Sequence, residues 1–128
     1  LAGNSFSDPK PIAITDTGGE VRIPVASLEE GKLTKFAYIS NGVSVRFLAV
    51  RLADGSVYTS IDACQICGAV GYGQDGENAI CKNCNAPIAM NTIGQGGGCN
   101  QLPLETKIIN DTIVIPVSEL AKMEKIFK

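Results

Sequence analysis

Five cysteines and no histidine set the limits on this 128-residue chain. All five lie between Asp62 and Pro103, spaced Cys64-x2-Cys67-x13-Cys81-x2-Cys84-x14-Cys99. Without imidazole there is no histidine-ligated haem, no Cys2His2 zinc or iron–sulfur site, no facial-triad iron, and no Ser-His-Asp or Cys-His nucleophile. Two facing C-x2-C turns can instead close a tetrahedral cage of four thiolates. Gly68 follows the second cysteine of the first pair and Asn85 that of the second. Both residue types accept the left-handed backbone that aims N–H groups at sulfur, and such contacts keep buried thiols ionised. The spacing therefore predicts a metal held by Cys64, Cys67, Cys81 and Cys84, and it leaves the metal open. Cys99, in Gly96-Gly97-Gly98-Cys99-Asn100, reads first as a capping thiol beside the cage, then as an alternative ligand or a site of intermolecular pairing. The competing reading is two disulfides with one thiol left over. A C-x2-C disulfide, however, is more typical of a redox dithiol than of a staple.

Around this segment the pattern is β. Val21, Ile23 and Val25 alternate with polar neighbours, and Phe36 to Ile39, Val43 to Val50 and Ser56 to Ile61 are β-branched or aromatic runs. Asn41-Gly42 and Asp54-Gly55 separate those three runs, so Phe36 to Ile61 reads as a three-stranded meander. Lys107 to Ile109 and Thr112 to Val117 resume strand character around Asn110-Asp111. Ser118 is expected to cap a short C-terminal helix with Leu120, Ala121, Met123 and Phe127 facing inward. A short echo, Ile23-Pro24-Val25-Ala26-Ser27-Leu28 against Ile115-Pro116-Val117-Ser118-Glu119-Leu120, reads as two strands that each leave their sheet at a proline, near an edge or bulge. From Asp62 to about Pro103 the apolar pattern collapses, and its order is expected to come from the inorganic centre rather than from a side-chain core. Residues 1–19, rich in Gly, Ser, Asp and Pro, read as an extended arm or linker, and 20–128 as one domain. Leu1 in place of a methionine reads as a trimmed start, after a signal peptide or a membrane segment of a longer parent.

With a net charge of -2 the chain has no basic field for nucleic acid or an anionic membrane surface. No apolar run approaches the ~18 residues of a membrane span. Tyr58 is expected in the core, whereas Tyr72, in a glycine loop, could equally cover the metal centre. Asp62, Asp75 and Glu77 read as solvated loop carboxylates rather than a hard-metal site. The glycines at 94–98 lack the strand and helix context of a phosphate loop. Met90 and Met123 are too few for a thioether copper site. Lys122, Lys125 and Lys128 read as a solvated helix face.

The order Gly55…Val57-Tyr58…Ile61-Asp62-Ala63-Cys64…Cys67-Gly68…Cys81…Cys84…Thr92…Gly96-Gly97-Gly98…Leu102-Pro103-Leu104 resembles the Rieske and Rieske-type ferredoxin pattern. Cys67 and Cys84 stand where that family has histidines, and the first spacing is one residue longer. A fully thiolate centre carries more negative charge and a lower potential than one with imidazole ligands. The segments Asp62-Ala63-Cys64-Gln65-Ile66-Cys67-Gly68, Gly71-Tyr72-Gly73-Gln74, Cys81-Lys82-Asn83-Cys84-Asn85, Thr92-Ile93-Gly94 and Gly97-Gly98-Cys99-Asn100…Pro103 resemble the FtrD-like membrane iron–sulfur protein family more closely. All five cysteines fall on its motif positions. The resemblance implies an all-β fold: a Rieske-like sandwich or barrel with a cluster-binding subdomain at 62–104 and a short C-terminal helix. It also implies an electron-transfer module rather than an enzyme, outside the cytoplasmic membrane, exported or cut from a membrane-anchored parent, and linked to iron uptake or another redox system.

The expected cofactor is an iron–sulfur cluster, [2Fe–2S] first, with Zn2+ or copper as alternatives. The expected partner is a redox protein, a membrane component among them, with no nucleic acid and an open oligomeric state. A structural Zn–S4 interaction module and a thiol-based Cu(I) or soft-metal binder are the rival functions.

Overall fold

The computed structural model describes residues 6–128. Its strands are β1 (Ile12–Ala13), β2 (Glu20–Pro24), β3 (Thr34–Ser40), β4 (Val43–Arg51), β5 (Val57–Cys64), β6 (Tyr72–Asp75), β7 (Asn78–Cys81), β8 (Pro87–Ala89), β9 (Gln101–Pro103), β10 (Lys107–Ile109) and β11 (Thr112–Pro116). Two short helices, α1 (Val117–Ala121) and α2 (Glu124–Phe127), end the chain. The fold is all-β with a short helical C-terminus, as expected. The described strands form three open sheets rather than a closed barrel: β1-β3-β4-β5-β9, β10-β11-β2 and β6-β7-β8.

The meander is the scaffold. Asn41 and Gly42 have φ of 49° and 80°, and Asn110 and Asp111 have 51° and 56°, the twin positive values that a tight two-residue hairpin requires. Asp54-Gly55 behaves differently. Only Gly55 is left-handed, and the loop is wider, closed by Leu52 and Ser56 and by the Asp54 carboxylate accepting from the Ser56 N–H. In β4 burial is unbroken from Phe47 to Val50, because this sheet is covered on both faces. Val45, Phe47, Ala49, Ile61 and Ala63 face the β10-β11-β2 sheet and meet Val21, Ile23, Ile113, Ile115 and Leu120. Phe36 and Phe47 stack there, with ring centroids 5.2 Å apart. Leu48 and Val50 point the other way, toward the cysteine segment.

That segment has a side-chain core, contrary to the expectation from its composition. Tyr72, Ala79, Met90 and Ile93 pack with Cys64 and Cys81 against Leu33, Leu48 and Val50 of the scaffold. Each local stretch is too sparse to form a core alone; the sheet supplies the other half. Tyr58 packs against this cluster, as expected, while Met123 lies with the core on the opposite face.

Three further expectations are corrected or refined. Ser118 does not cap α1: Pro116 occupies the N-cap position, no side chain caps it, and Ser118 lies within the helix. The helical stretch also breaks at Lys122–Met123 into two pieces. Both echoed segments follow one path, in which a strand ends at proline, a helical turn follows, and a leucine plugs the core (Leu28 and Leu120). Of the two strands, β2 lies at an edge while β11 is central, and Pro116 is tolerated there as its last residue. Within the arm, residues 1–5 lie outside the described residues. The rest runs extended and docks: β1 pairs parallel with β3, and Ser7 exchanges backbone hydrogen bonds of 2.9 and 2.8 Å with Gln74. Gly73 permits this contact, since a Cβ there would stand 2.5 Å from both Phe6 and the Ser7 carbonyl.

Candidate metal centre

Each C-x2-C pair forms a knuckle at the end of a strand. Cys64 closes β5, and its N–H and carbonyl pair with Gly68 at 3.2 and 2.9 Å. Cys81 closes β7; its carbonyl accepts from the Asn85 N–H at 2.8 Å, and its own N–H donates to Ala86 at 3.0 Å. Gly68 and Asn85 are left-handed, with φ of 63° and 61°, as their positions after each pair predict. The Cys67 N–H then reaches the Cys64 sulfur at 3.0 Å, and the Asn83 side chain donates to the Cys67 sulfur at 3.4 Å. A backbone bond of 3.0 Å from Lys82 to Gly71 ties the two knuckles together.

The sulfurs converge. Those of Cys64, Cys67 and Cys81 lie within 4.8 Å of one another, as do those of Cys67, Cys84 and Cys99, so Cys67 is common to both groups. This differs from four equivalent cage positions, because Cys99 enters the cluster as a near neighbour of Cys84, with sulfurs 3.0 Å apart. All five are free thiols, so the paired-disulfide arrangement is not formed. Burial grades across the group: Cys64 and Cys81 are buried, Cys67 and Cys99 intermediate, and Cys84 exposed.

Their acidities differ accordingly. Burial pushes the Cys81 thiol up to about 11, against the pull of the Cys84 and Asn83 N–H groups. The Cys99 thiol lowers the Cys84 value, helped by the Ala86 N–H, and Cys99 is itself raised to about 12, chiefly by Cys84. The two sulfurs, 3.0 Å apart, share a hydrogen bond in which either can be the donor. A set of clustered thiols with N–H donors aimed at them and no imidazole fits a soft or borderline metal, Zn2+ or an iron–sulfur centre.

Tyr72 is fully enclosed beneath the site, and its hydroxyl donates to the Cys99 carbonyl. Burial, and then the neighbouring Cys64, hold that phenol well above its ordinary value. The two environments open to Tyr72 from sequence coincide: it is a core residue that also lies beside the cysteines. Asn100 shapes the glycine loop by donating to Thr92 at 2.9 Å and accepting from the Gly96 N–H at 3.1 Å. Gly94, at φ 87°, lets that loop touch β5, where a Cβ would stand 2.6 Å from the Thr59 carbonyl.

Asp62 overturns its sequence reading. It is fully buried, not solvated: its carboxylate accepts from Arg46 Nε at 2.8 Å and from the Tyr72 N–H at 2.9 Å, and lies 3.2 Å from Lys35 Nζ. Arg46 and Asp62 lie just beyond the Phe47–Ile61 pair of the β4–β5 ladder, and Arg46 also donates to the Ala69 carbonyl after the first knuckle. Lys35 and Lys82 both reach Asp8 of the arm, at 3.4 and 2.9 Å. This ionic chain, absent from the sequence reading, fastens the arm, the scaffold and both knuckles. Asp75 and Glu77 are exposed, as expected. Two buried polar side chains have no hydrogen-bond partner among the described residues: Ser60, at its hydroxyl, and Gln101, at both carboxamide atoms.

Residues 28–127 match the family described as FtrD-like, "Membrane iron-sulfur containing protein FtrD-like". No curated protein and no solved structure gave a match, so the Rieske likeness rests on the sequence pattern alone. No helix among the described residues is long and apolar enough to cross a membrane. A single family match spanning the scaffold, both knuckles and the glycine loop places the chain in the FtrD-like membrane iron–sulfur protein family.

Proposed function

We propose that this domain is an electron-transfer module, with an iron–sulfur centre held by Cys64, Cys67, Cys81 and Cys84 and capped by the Cys99 thiol. The observation that carries this reading is the graded convergence of sulfurs, buried at Cys64 and Cys81 and exposed at Cys84, in a chain of an iron–sulfur family. A [2Fe–2S] cluster, which takes two thiolates per iron, suits an inner pair, Cys64 and Cys81, and an outer pair, Cys67 and Cys84. When bound, such a centre accepts and releases one electron without bond rearrangement. The chain's own part is to supply thiolates, aim N–H groups at them and leave one edge exposed. Ile66, at the tip of the first knuckle, and Val70 are exposed apolar side chains beside that segment, suited to brief docking of a redox partner. On the same reading the domain works outside the cytoplasmic membrane.

The test is the absorption and EPR spectrum of anaerobically purified protein together with elemental analysis. Iron and sulfide with a reducible chromophore are expected. A colourless sample, EPR-silent both oxidised and after dithionite, would sink the proposal. One zinc per chain in that sample would favour the structural Zn–S4 module, a reading to which the closed N–H···S knuckles also lend themselves.

A further inference from the structure

Gln101 is 0% exposed, and neither its Oε1 nor its Nε2 has a hydrogen-bond partner among the described residues. Buried carboxamides are normally paired, so an orphan of this kind calls for an explanation. Strand register fixes where it points. Gln101 of β9 lies directly opposite Cys64 of β5, and antiparallel partners project from the same face of the sheet. The next residue, Leu102, packs into the core on the other face, as alternation requires. Gln101 therefore flanks Cys64, whose sulfur lies within 4.8 Å of those of Cys67 and Cys81. A carboxamide offers two N–H donors, and negatively charged sulfur is the acceptor that this inner edge would present once loaded.

Resting on the iron–sulfur reading above, we infer that the Gln101 carboxamide donates a hydrogen bond to the sulfur edge of the bound centre at Cys64 and thereby raises its reduction potential. An N–H···S bond favours the reduced state because that state carries more negative charge on sulfur. Gln101 is in this sense a positioning and tuning residue, not a ligand. The structural rival is an ordered water bridging Gln101 to Ser60, the other buried orphan, whose ladder partner Leu48 packs in the same cluster as Cys64.

The experiment compares Gln101→Met, Gln101→Leu and Ser60→Ala in the iron–sulfur-loaded protein, by spectroelectrochemical titration and by resonance Raman in H2O and D2O. Both Gln101 variants are expected to shift the midpoint potential negative and to lose the deuterium-sensitive component of the Fe–S stretch, with iron content unchanged. Ser60→Ala is expected to leave the potential where it was. An unmoved potential and deuterium shift in a loaded Gln101 variant overturn the inference, as does an equal shift from Ser60→Ala. If neither Met nor Leu permits loading, Gln101→Asn is read in the same way, since its amide is drawn back by one methylene; an unchanged potential again overturns the inference. A wild-type chain without an iron–sulfur chromophore removes the parent reading and this one together. An intact chromophore with unmoved potentials removes this one alone.

Discussion

Replacing Asp62 with Asn tests the ionic chain most directly. The substitution preserves shape but removes a charge that is 0% exposed and held by Arg46, Lys35 and the Tyr72 N–H. Lys35, itself 2% exposed, is left with Asp8 at 3.4 Å as its remaining carboxylate. Breaking one partner out of a buried ion pair costs about 3–5 kcal/mol, because the other charge stays buried without compensation. A solvated carboxylate pair would be worth about 0–1 kcal/mol, so the two readings of Asp62 are well separated. Taking about 2 kcal/mol/M for urea, the unfolding midpoint should fall by about 1.5–2.5 M. Wild type and variant must be compared in the same metal state, since a bound metal adds stability by mass action. Asp75→Asn, at an exposed site, is the control, with a change of about 0.5 kcal/mol or less. Adding Lys35→Met to Asp62→Asn should recover part of the loss, because it removes the stranded cation. A loss under about 1 kcal/mol for Asp62→Asn, with no recovery in the double variant, would refute the buried-charge argument.

Cys84→Ser should lose bound metal while Cys99→Ser keeps close to the wild-type content by elemental analysis, because Cys84 belongs to a C-x2-C knuckle whereas Cys99 approaches it from the glycine loop outside both knuckles. Equal losses would make Cys99 a ligand. Gly94→Ala places a Cβ 2.6 Å from the Thr59 carbonyl at φ 87°. It should cost about 1–3 kcal/mol or more in denaturant unfolding and speed metal release to a chelator; wild-type values for both would show that the loop does not depend on that contact. Burial pushes the Asp8 carboxyl up, but the Lys82 hydrogen bond and the Lys35 and Lys82 charges outweigh it and hold it below 3.8. Its contribution to arm docking is therefore complete above pH 3.8 and fades as pH falls through the lower folded-state value. The amide signals of Ser7 and Gln74 should move in NMR over that acid range, and Asp8→Asn should speed their exchange at neutral pH; unchanged exchange would detach the ion pairs from docking.

The features legible in the sequence are those with local causes. Cys64 and Cys67, and Cys81 and Cys84, are close because three-residue turns make them so, and Gly68 and Asn85 mark those turns by the backbone they tolerate. Asn41-Gly42 and Asn110-Asp111 are read correctly for the same reason. Asp54-Gly55 shows the limit: the dipeptide permits a tight hairpin, but the flanking strands meet across a wider loop. Ser118 is a good cap in isolation, yet Pro116 takes the N-cap position two residues ahead of it. Asp62 could not be read as buried from its neighbours, because its partners come from 27 and 16 residues away in the chain, across two antiparallel ladders. The orphan state of Gln101 likewise exists only once β9 is laid beside β5.

These long-range pairings change what the metal is asked to do. Sequence alone makes the cysteine segment look too poor in apolar side chains to order itself, leaving an inorganic centre as the organiser. In the fold, Leu33, Leu48 and Val50 complete a core for Tyr72, Ala79, Met90 and Ile93, while Arg46 and Asp62 pin the backbone that follows the first knuckle, at Ala69 and Tyr72. The inner thiols, Cys64 and Cys81, are the terminal residues of strands that this core already fixes. The outer pair of the proposed centre, Cys67 and Cys84, sits in the turns that follow those strands, and Cys84 is the exposed sulfur. On the proposed reading, ordering by metal falls on the exposed edge, the edge through which an electron would pass. On that reading a strand-borne inner pair with a turn-borne outer pair would keep the site assembled around a centre whose charge changes by one, since turns adjust at lower cost than paired strands.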